Sequence, residues 1–153
     1  MRKFANLLLV TLFIAPLCFI SCSNGKVKSL NPNGDSELAL LMRSMYDDGM
    51  LTKQALLEGK APVVNVKYHQ LHTAKATEPE KVATPNYDAF ANAYEASVKS
   101  FLESDTASRI ESYHSMVNAC MNCHQKICPG PTVRIKHLFL NETELASLES
   151  QKE

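Results

Sequence analysis

The sequence predicts an all-α fold, an antiparallel four-helix bundle with the functional motif on its last helix and a short C-terminal extension. Apolar residues recur at steps of three and four along separate stretches, which is the spacing of one face of an α-helix. Residues that favour helix starts and helix ends stand at the limits of these stretches. The connections between them are short, as in bundles whose helices run alternately up and down.

The first helix is predicted to begin at Asp35 or Ser36, because both residue types cap helix N-termini. Gly49 is expected to bend or divide this helix, and Gly59 followed by Pro62 supplies the stop signal. The apolar face of the helix consists of Leu38, Leu41, Met42 and Met45.

The stretch 63–76 carries two conflicting signals. Its first residues, Val63, Val64 and Val66, favour a strand, whereas its later residues fit helical spacing. We therefore predict a helix in the later part only, followed by a break at 77–79.

The third helix is marked by Thr84 and Pro85, an N-cap residue followed by proline at the first helical position. A regular apolar stripe follows, and it predicts the face that this helix buries. The stripe contains Phe90, Tyr94, Val98 and Phe101, with Tyr87, Ala91 and Leu102 beside it.

The fourth helix is expected to start near Ser104 or Asp105 and to end at the Pro-Gly-Pro sequence 129–131. Its apolar stripe alternates steps of three and four and is therefore expected to face a core. The stripe contains Ile110, Tyr113, Val117, Cys120, His124 and Ile127.

The predicted C-terminal extension covers residues 129–153. Within it, 133–140 is expected to be extended or irregular. Asn141 is suited to cap a small terminal helix over 142–148.

Residues 120–124 read Cys-Met-Asn-Cys-His, the strongest functional signal in the chain. Two cysteines three apart, with histidine directly after the second, form the pattern that attaches a c-type haem. The thiols of Cys120 and Cys123 add across the haem vinyl groups as thioethers, and His124 is placed to bind the iron from the proximal side. The motif therefore predicts one covalently bound haem c that faces the core.

Two other uses of these residues stay open at this point. A Cys-x-x-Cys pair also forms thiol–disulfide redox centres, although these normally lie at a helix N-terminus in a βαβ setting. Zinc is the second alternative, with Cys120, Cys123, His124 and Cys128 as ligands. Because adjacent side chains point apart on a helix, zinc binding requires the helix to break. Cys128 itself is expected to be a small buried hydrophobe, a redox-sensitive thiol or half of an intermolecular disulfide.

The N-terminus predicts export. A positively charged pair precedes the apolar run 4–20, whose length suits a signal peptide better than a membrane span. The run ends in Phe-Ile-Ser-Cys, which resembles a bacterial lipobox. We therefore predict a signal peptide over 1–21, a lipid on Cys22, a tether over 22–34, a haem-binding bundle over 35–128, and a periplasmic location. Simple cleavage nearby, with Cys22 left unmodified, is the alternative.

The charge balance excludes one class of partner. The chain has 16 Lys and Arg residues against 16 Asp and Glu, and 14 against 16 without residues 1–21, a net charge of −2. Such a domain lacks the polycationic surface of a nucleic acid binder. No acid–base constellation supports catalytic turnover, so we do not expect an enzyme.

An exported chain with four helices and a haem motif on the last one resembles the cytochrome c-prime family, the class II c-type cytochromes. In that family the first helix carries a Met-Lys-like or Leu-Lys-like step over the distal face of the haem, which Met42-Arg43 matches here. The resemblance covers most of residues 35–128. It implies a monohaem bundle with Met42 at the distal face, and the family's homodimer as a partner. The segment after Cys128 departs from the family, whose members usually stop soon after the haem helix.

The distal ligand is expected to decide the chemistry. Met42 is the first candidate, with Met45 as the substitute, because thioether and imidazole together favour a six-coordinate, electron-transferring haem. Core packing is the alternative role of Met42. His69 and His72, three apart, are further candidates as ligands, or ordinary surface histidines.

Three functional hypotheses follow. The first is a lipid-anchored electron carrier that serves a redox partner protein. The second, implied by the resemblance, is a five-coordinate haem protein that binds nitric oxide or carbon monoxide. The third is an interaction lipoprotein in which the motif is incidental.

Overall fold

The computed structural model describes residues 34–150, so the predicted signal peptide, Cys22 and nearly all of the tether lie outside the described residues. Between residues 34 and 150 the chain forms helices and turns and no strand, which confirms the all-α class. No helix in this part is long and apolar enough to cross a membrane. The α-helices are α1 (Glu37–Leu57), α2 (Pro79–Val82), α3 (Pro85–Glu103), α4 (Arg109–Ile127), α5 (Thr132–Ile135) and α6 (Glu142–Ser150), with 3₁₀-helices at Tyr68–His72 and Lys136–Leu138.

Helix α1 starts and ends at the residues that the sequence indicated. Ser36 is the N-cap, because its Oγ accepts a hydrogen bond from the backbone N–H of Ala39 at 3.2 Å. Gly59 has a φ of +65°, the left-handed conformation that ends a helix. The predicted division at Gly49 is wrong, since α1 is continuous. A Cβ at Gly49 would lie 3.1 Å from the side chain of Leu138, so this glycine allows the C-terminal extension to approach α1 closely.

The valine-rich segment after α1 contains only one short helix, the 3₁₀-helix Tyr68–His72. The first part of this segment has an irregular backbone, and side chains of α1 form hydrogen bonds with its backbone groups. Thr52 donates through its hydroxyl to the carbonyl of Val63 at 3.1 Å, and the Asn65 N–H donates to the Asp48 carboxylate at 3.1 and 3.2 Å. These partners explain why strand-favouring valines form neither a strand nor a long helix here.

Helices α3 and α4 form the closest helix pair, joined by a five-residue loop, and therefore run antiparallel. Thr84 caps α3 as predicted, since its Oγ1 accepts from the N–H of Tyr87 at 3.3 Å and Pro85 occupies the first turn. Helix α4 starts later than predicted, because Asp105 accepts from the N–H and hydroxyl of Ser108 and holds the loop in a turn. The innermost side chains of this pair are Val98, Phe101, Tyr113 and Val117.

The C-terminal extension folds back on α1. The stretch that was predicted to be extended or irregular forms α5 and the 3₁₀-helix after it, so that prediction is wrong. Buried Ile135 and Leu138 are three apart, a helical spacing, and the Tyr113 hydroxyl donates to the carbonyl of Leu138 at 2.8 Å. Asn141 caps α6 as predicted, because its Oδ1 accepts from the Glu144 N–H at 2.9 Å while the Glu144 carboxylate accepts from the Asn141 N–H at 2.8 Å.

A buried lysine fastens this extension to α1. Lys53 is only 8% exposed. Its Nζ donates to the backbone carbonyls of His137 and Phe139 at 3.1 and 2.8 Å, and it forms an ion pair with Glu144 at 2.9 Å. Three acceptors of the extension therefore depend on one ammonium group of α1.

Replacing Lys53 with methionine is expected to lower the free energy of unfolding by about 2–4 kcal/mol, because two carbonyls and a carboxylate lose their donor. Urea denaturation measures this change. Lys99→Met is the matched control, since Lys99 and Glu103 form an exposed pair 3.9 Å apart whose loss is expected to cost less than about 1 kcal/mol. Equal effects of the two substitutions would show that Lys53 does not hold the extension.

His114 is expected to make the docking of the extension dependent on pH. Its Nε2 accepts a hydrogen bond from the backbone N–H of Leu140 at 3.4 Å, which requires the unprotonated nitrogen. Burial and the nearby charge of Lys53 lower the pKa of His114. The unfolded chain, with a histidine pKa of about 6.5, therefore takes up this proton first as the pH falls.

The free energy of unfolding is accordingly expected to decrease as the pH falls below about 6.5, until the folded state is protonated as well. Urea denaturation between pH 8 and pH 5 checks this. His114→Gln removes the titrating group and is expected to reduce the slope. An identical slope in this variant would assign the pH dependence to other groups.

Candidate functional site

Helix α4 brings the three motif residues to the wall of one apolar cavity. Cys120, Cys123 and His124 line it from α4, while Met42 and Met45 line it from α1. The residues that were predicted to contact a haem, namely Cys120, Cys123, His124 and Met42, therefore line a single cavity. The remaining lining residues are Leu71, Tyr87, Phe90, Ala91, Tyr94 and Ala119.

The cavity is narrow, and two methionines form part of its wall. The space in the cavity that no atom fills is about 350 Å³, including its open mouth. The centres of water molecules can reach about 40 Å³. Each water needs about 10–15 Å³ of this second volume, so the cavity has room for about three water molecules. Helix α1 makes its closest backbone contacts with short segments and with α6, rather than with α3 or α4. The unbranched side chains of Met42 and Met45 line the cavity from α1, and methionine is a flexible side chain that adapts to irregular spaces.

The imidazole of His124 is held in one tautomer. Its Nδ1 lies 3.0 Å from the backbone carbonyl oxygen of Cys128, which can only accept a hydrogen bond, so Nδ1 carries the proton. Burial lowers the pKa of His124, which keeps the ring neutral at pH 7. Nε2 then bears the lone pair, and it makes no hydrogen bond with any residue in the described part of the chain. Neutral histidine oriented in this way, by a carbonyl on its other nitrogen, is the usual form of a metal ligand.

The two motif thiols lie in an apolar environment and are not joined in a disulfide. Burial raises the pKa of Cys120 to about 12 and that of Cys123 to about 11. Both groups are therefore protonated at neutral pH, whereas thiol–disulfide centres depend on a lowered pKa. They also lie in the second half of α4 rather than at its N-terminus. These surroundings weigh against the thiol–disulfide alternative.

The other predicted ligand candidates do not join the cavity. His69 Nδ1 and His72 Nε2 both face one carboxylate oxygen of Glu95, at 3.1 and 3.5 Å. Neither histidine is among the residues that line the cavity. Across residues 34–150, no three His, Cys, Asp or Glu side chains are grouped so that they could hold a metal ion, and this includes the four residues of the zinc alternative.

Two tyrosines of α3, Tyr87 and Tyr94, are core residues as predicted and also line the cavity. The Tyr87 hydroxyl donates to the carbonyl of Leu71 at 2.8 Å. The spacing of seven between the two tyrosines places both on one face of α3, so the sequence did carry a signal. Tyrosine at a buried helix position also indicates that a polar partner is needed.

No protein-family model matches this chain, no curated protein matches it, and no solved structure matches its fold. The chemistry of the cavity must therefore be judged from its own residues.

These residues fit a covalently attached haem. Two thiols with the required spacing and a neutral imidazole with a lone pair on Nε2 come from the same helix. The thioethers of Met42 and Met45 belong to side chains that line the same cavity, and the remaining walls are mostly apolar, as a hydrophobic macrocycle requires.

Proposed function

We propose that this protein is an exported, lipid-anchored monohaem c-type cytochrome that transfers electrons. Cys120 and Cys123 hold haem c through thioether bonds, His124 is the proximal ligand through Nε2, and Met42 is the distal ligand. The observation that carries the proposal is the hydrogen bond between His124 Nδ1 and the Cys128 carbonyl, at 3.0 Å. It directs the protonated nitrogen away from metal binding, in a residue that lines the same cavity as both cysteines and Met42.

The proposed ligands determine the type of chemistry. Methionine and histidine together give a haem with no open iron position and a raised potential, which suits electron transfer rather than turnover. The apolar walls keep water from the macrocycle and raise the potential further by disfavouring the more charged ferric state.

The proposal includes an antiparallel four-helix arrangement with the haem motif on the last long helix. The 3₁₀-helix Tyr68–His72 then takes the place of the second bundle helix, since its Leu71 lines the cavity. The proposal further includes export to the periplasmic side of the membrane, a lipid on Cys22 and a redox partner protein. They rest on residues 1–22 and on the haem motif.

Covalent attachment is tested by producing the full chain in a bacterium that attaches haem c in its periplasm. The polypeptide is then denatured and extracted with acidified acetone. We expect the haem to stay with the polypeptide, because thioether bonds survive unfolding. Complete extraction of the haem would overturn the proposal.

Visible spectra of the ferrous protein, with and without carbon monoxide, then test the distal ligand. Electron transfer with Met42 bound predicts a low-spin spectrum that carbon monoxide leaves unchanged. A high-spin spectrum that carbon monoxide shifts would favour the second candidate function, a five-coordinate protein that binds nitric oxide or carbon monoxide.

A further inference from the structure

The segment 137–140 of the C-terminal extension is hydrogen bonded to both α1 and α4, and we call it the bridge. From α1, the buried ammonium group of Lys53 donates to the carbonyls of His137 and Phe139, at 3.1 and 2.8 Å. One side chain of α1 therefore binds two alternate residues of the bridge.

The other two residues of the bridge are bound by α4. The hydroxyl of Tyr113, a fully buried residue, donates to the carbonyl of Leu138 at 2.8 Å and lies 3.5 Å from the carbonyl of Gly49 on α1. His114 Nε2 accepts a hydrogen bond from the N–H of Leu140 at 3.4 Å. Successive bridge residues thus alternate between partners on α1 and on α4, so the bridge couples the positions of the two helices.

The candidate haem ligands lie equally far from the bridge on both helices. Met42 precedes Lys53 by 11 residues on α1, and His124 follows Tyr113 by 11 residues on α4. Such a spacing is about three helical turns, which returns to the same face of a helix about 16 Å along its axis. Because Met42 and His124 line one cavity, the bridge and the cavity lie at two levels of the same helix pair.

The position of α1 depends strongly on the extension. The close backbone contacts of α1 are with the 3₁₀-helices Tyr68–His72 and Lys136–Leu138 and with α6, whereas α3 and α4 pack closely on each other. Two of these three segments belong to the extension, which follows directly after the helix of the haem motif. The bridge is the part of the extension that both α1 and α4 bind.

We propose that the bridge is a positioning element of the haem site, which holds α1 close enough to α4 for Met42 to stay on the iron. The inference rests on the proposed function. A side chain on one helix can bind a metal held by another helix only while the separation of the two helices is fixed. When the bridge loosens, the methionine sulfur leaves with both electrons of its bond, and a small ligand such as cyanide takes its position without any electron transfer.

Lys53→Met and Tyr113→Phe test this in the haem-loaded full chain, because each removes a donor to the bridge. Cyanide added to the ferric protein competes with the methionine, so its apparent dissociation constant measures how often the sulfur is off the iron. We expect this constant to fall about two- to tenfold in Tyr113→Phe, the factor that one lost hydrogen bond supplies, and at least as much in Lys53→Met. Covalent haem should be retained in both variants.

Amide hydrogen exchange gives a second readout, which does not depend on the iron ligands. The N–H of Leu140 should exchange faster in both variants, because the bridge has lost a neighbouring hydrogen bond. Thr84→Ala is the control for a general loss of stability, since it removes the cap of α3 and Thr84 makes its hydrogen bonds with Lys81 and Tyr87. It should lower the stability to urea and leave the cyanide constant unchanged.

Two results would overturn the role of the bridge. One is an unchanged cyanide constant in both Lys53→Met and Tyr113→Phe, and the other is an equal change in Thr84→Ala. Failure of the proposed function looks different, because it appears in the unsubstituted protein, as haem that is extracted after denaturation or as a ferrous spectrum that carbon monoxide shifts. In that case the inference fails as well.

Discussion

Replacing both Cys120 and Cys123 with alanine is expected to abolish covalent haem. Each thioether bond needs one of these sulfur atoms, and both line the cavity that His124 and Met42 also line. The expected change is from haem that is retained after denaturation to haem that is completely extracted. Haem-stained denaturing gels and acid–acetone extraction measure it directly.

Cys128→Ala is the control for this experiment. Cys128 helps to orient His124 through its backbone carbonyl, which the substitution leaves in place. We therefore expect this variant to keep its covalent haem. Haem that survives extraction from the double alanine variant would mean that other residues attach it.

Replacing Met42 with alanine is expected to convert the iron from low spin to high spin and to let the ferrous protein bind carbon monoxide. The substitution removes the proposed sixth ligand and leaves His124 on the other side. The visible spectra of both oxidation states report the change. The midpoint potential should fall as well, because the thioether stabilises the ferrous state.

Met45→Ala is the matched control, one turn further along α1 and on the same cavity. We expect it to retain a low-spin spectrum. The reverse pattern, with high spin in Met45→Ala only, would transfer the ligand role to Met45. No change in either variant would exclude both methionines as ligands.

The long helices could be predicted because their signals are local. Ser36 and Thr84 hydrogen bond to backbone N–H groups three residues away, so both caps are visible in the sequence. The apolar stripes also follow from helical period alone, and they placed Val98, Phe101 and Tyr113 in the core. The cap of α6 at Asn141 was predictable for the same reason.

The errors lie where distant contacts outweigh local preference. Gly49 was expected to bend or divide α1, but the helix is not divided there, and the glycine provides room for Leu138 from the C-terminal extension. The residues after Pro131 show no clear helical signal, yet they form α5 because Ile135 and Leu138 are buried by the extension folding back. Asp48 likewise holds the valine-rich segment by hydrogen bonds that no local pattern encodes.

The helical class and the Cys-x-x-Cys-His motif could be read from the sequence alone, because helical period and motif spacing are properties of neighbours along one chain segment. Tertiary structure was needed to show that Met42 on α1 lines the same cavity as the motif. It also decided that Lys53 fastens an extension more than 80 residues away. A side chain's surroundings depend on which helices pack together. The helix face on which the side chain lies depends only on its position in the helical repeat.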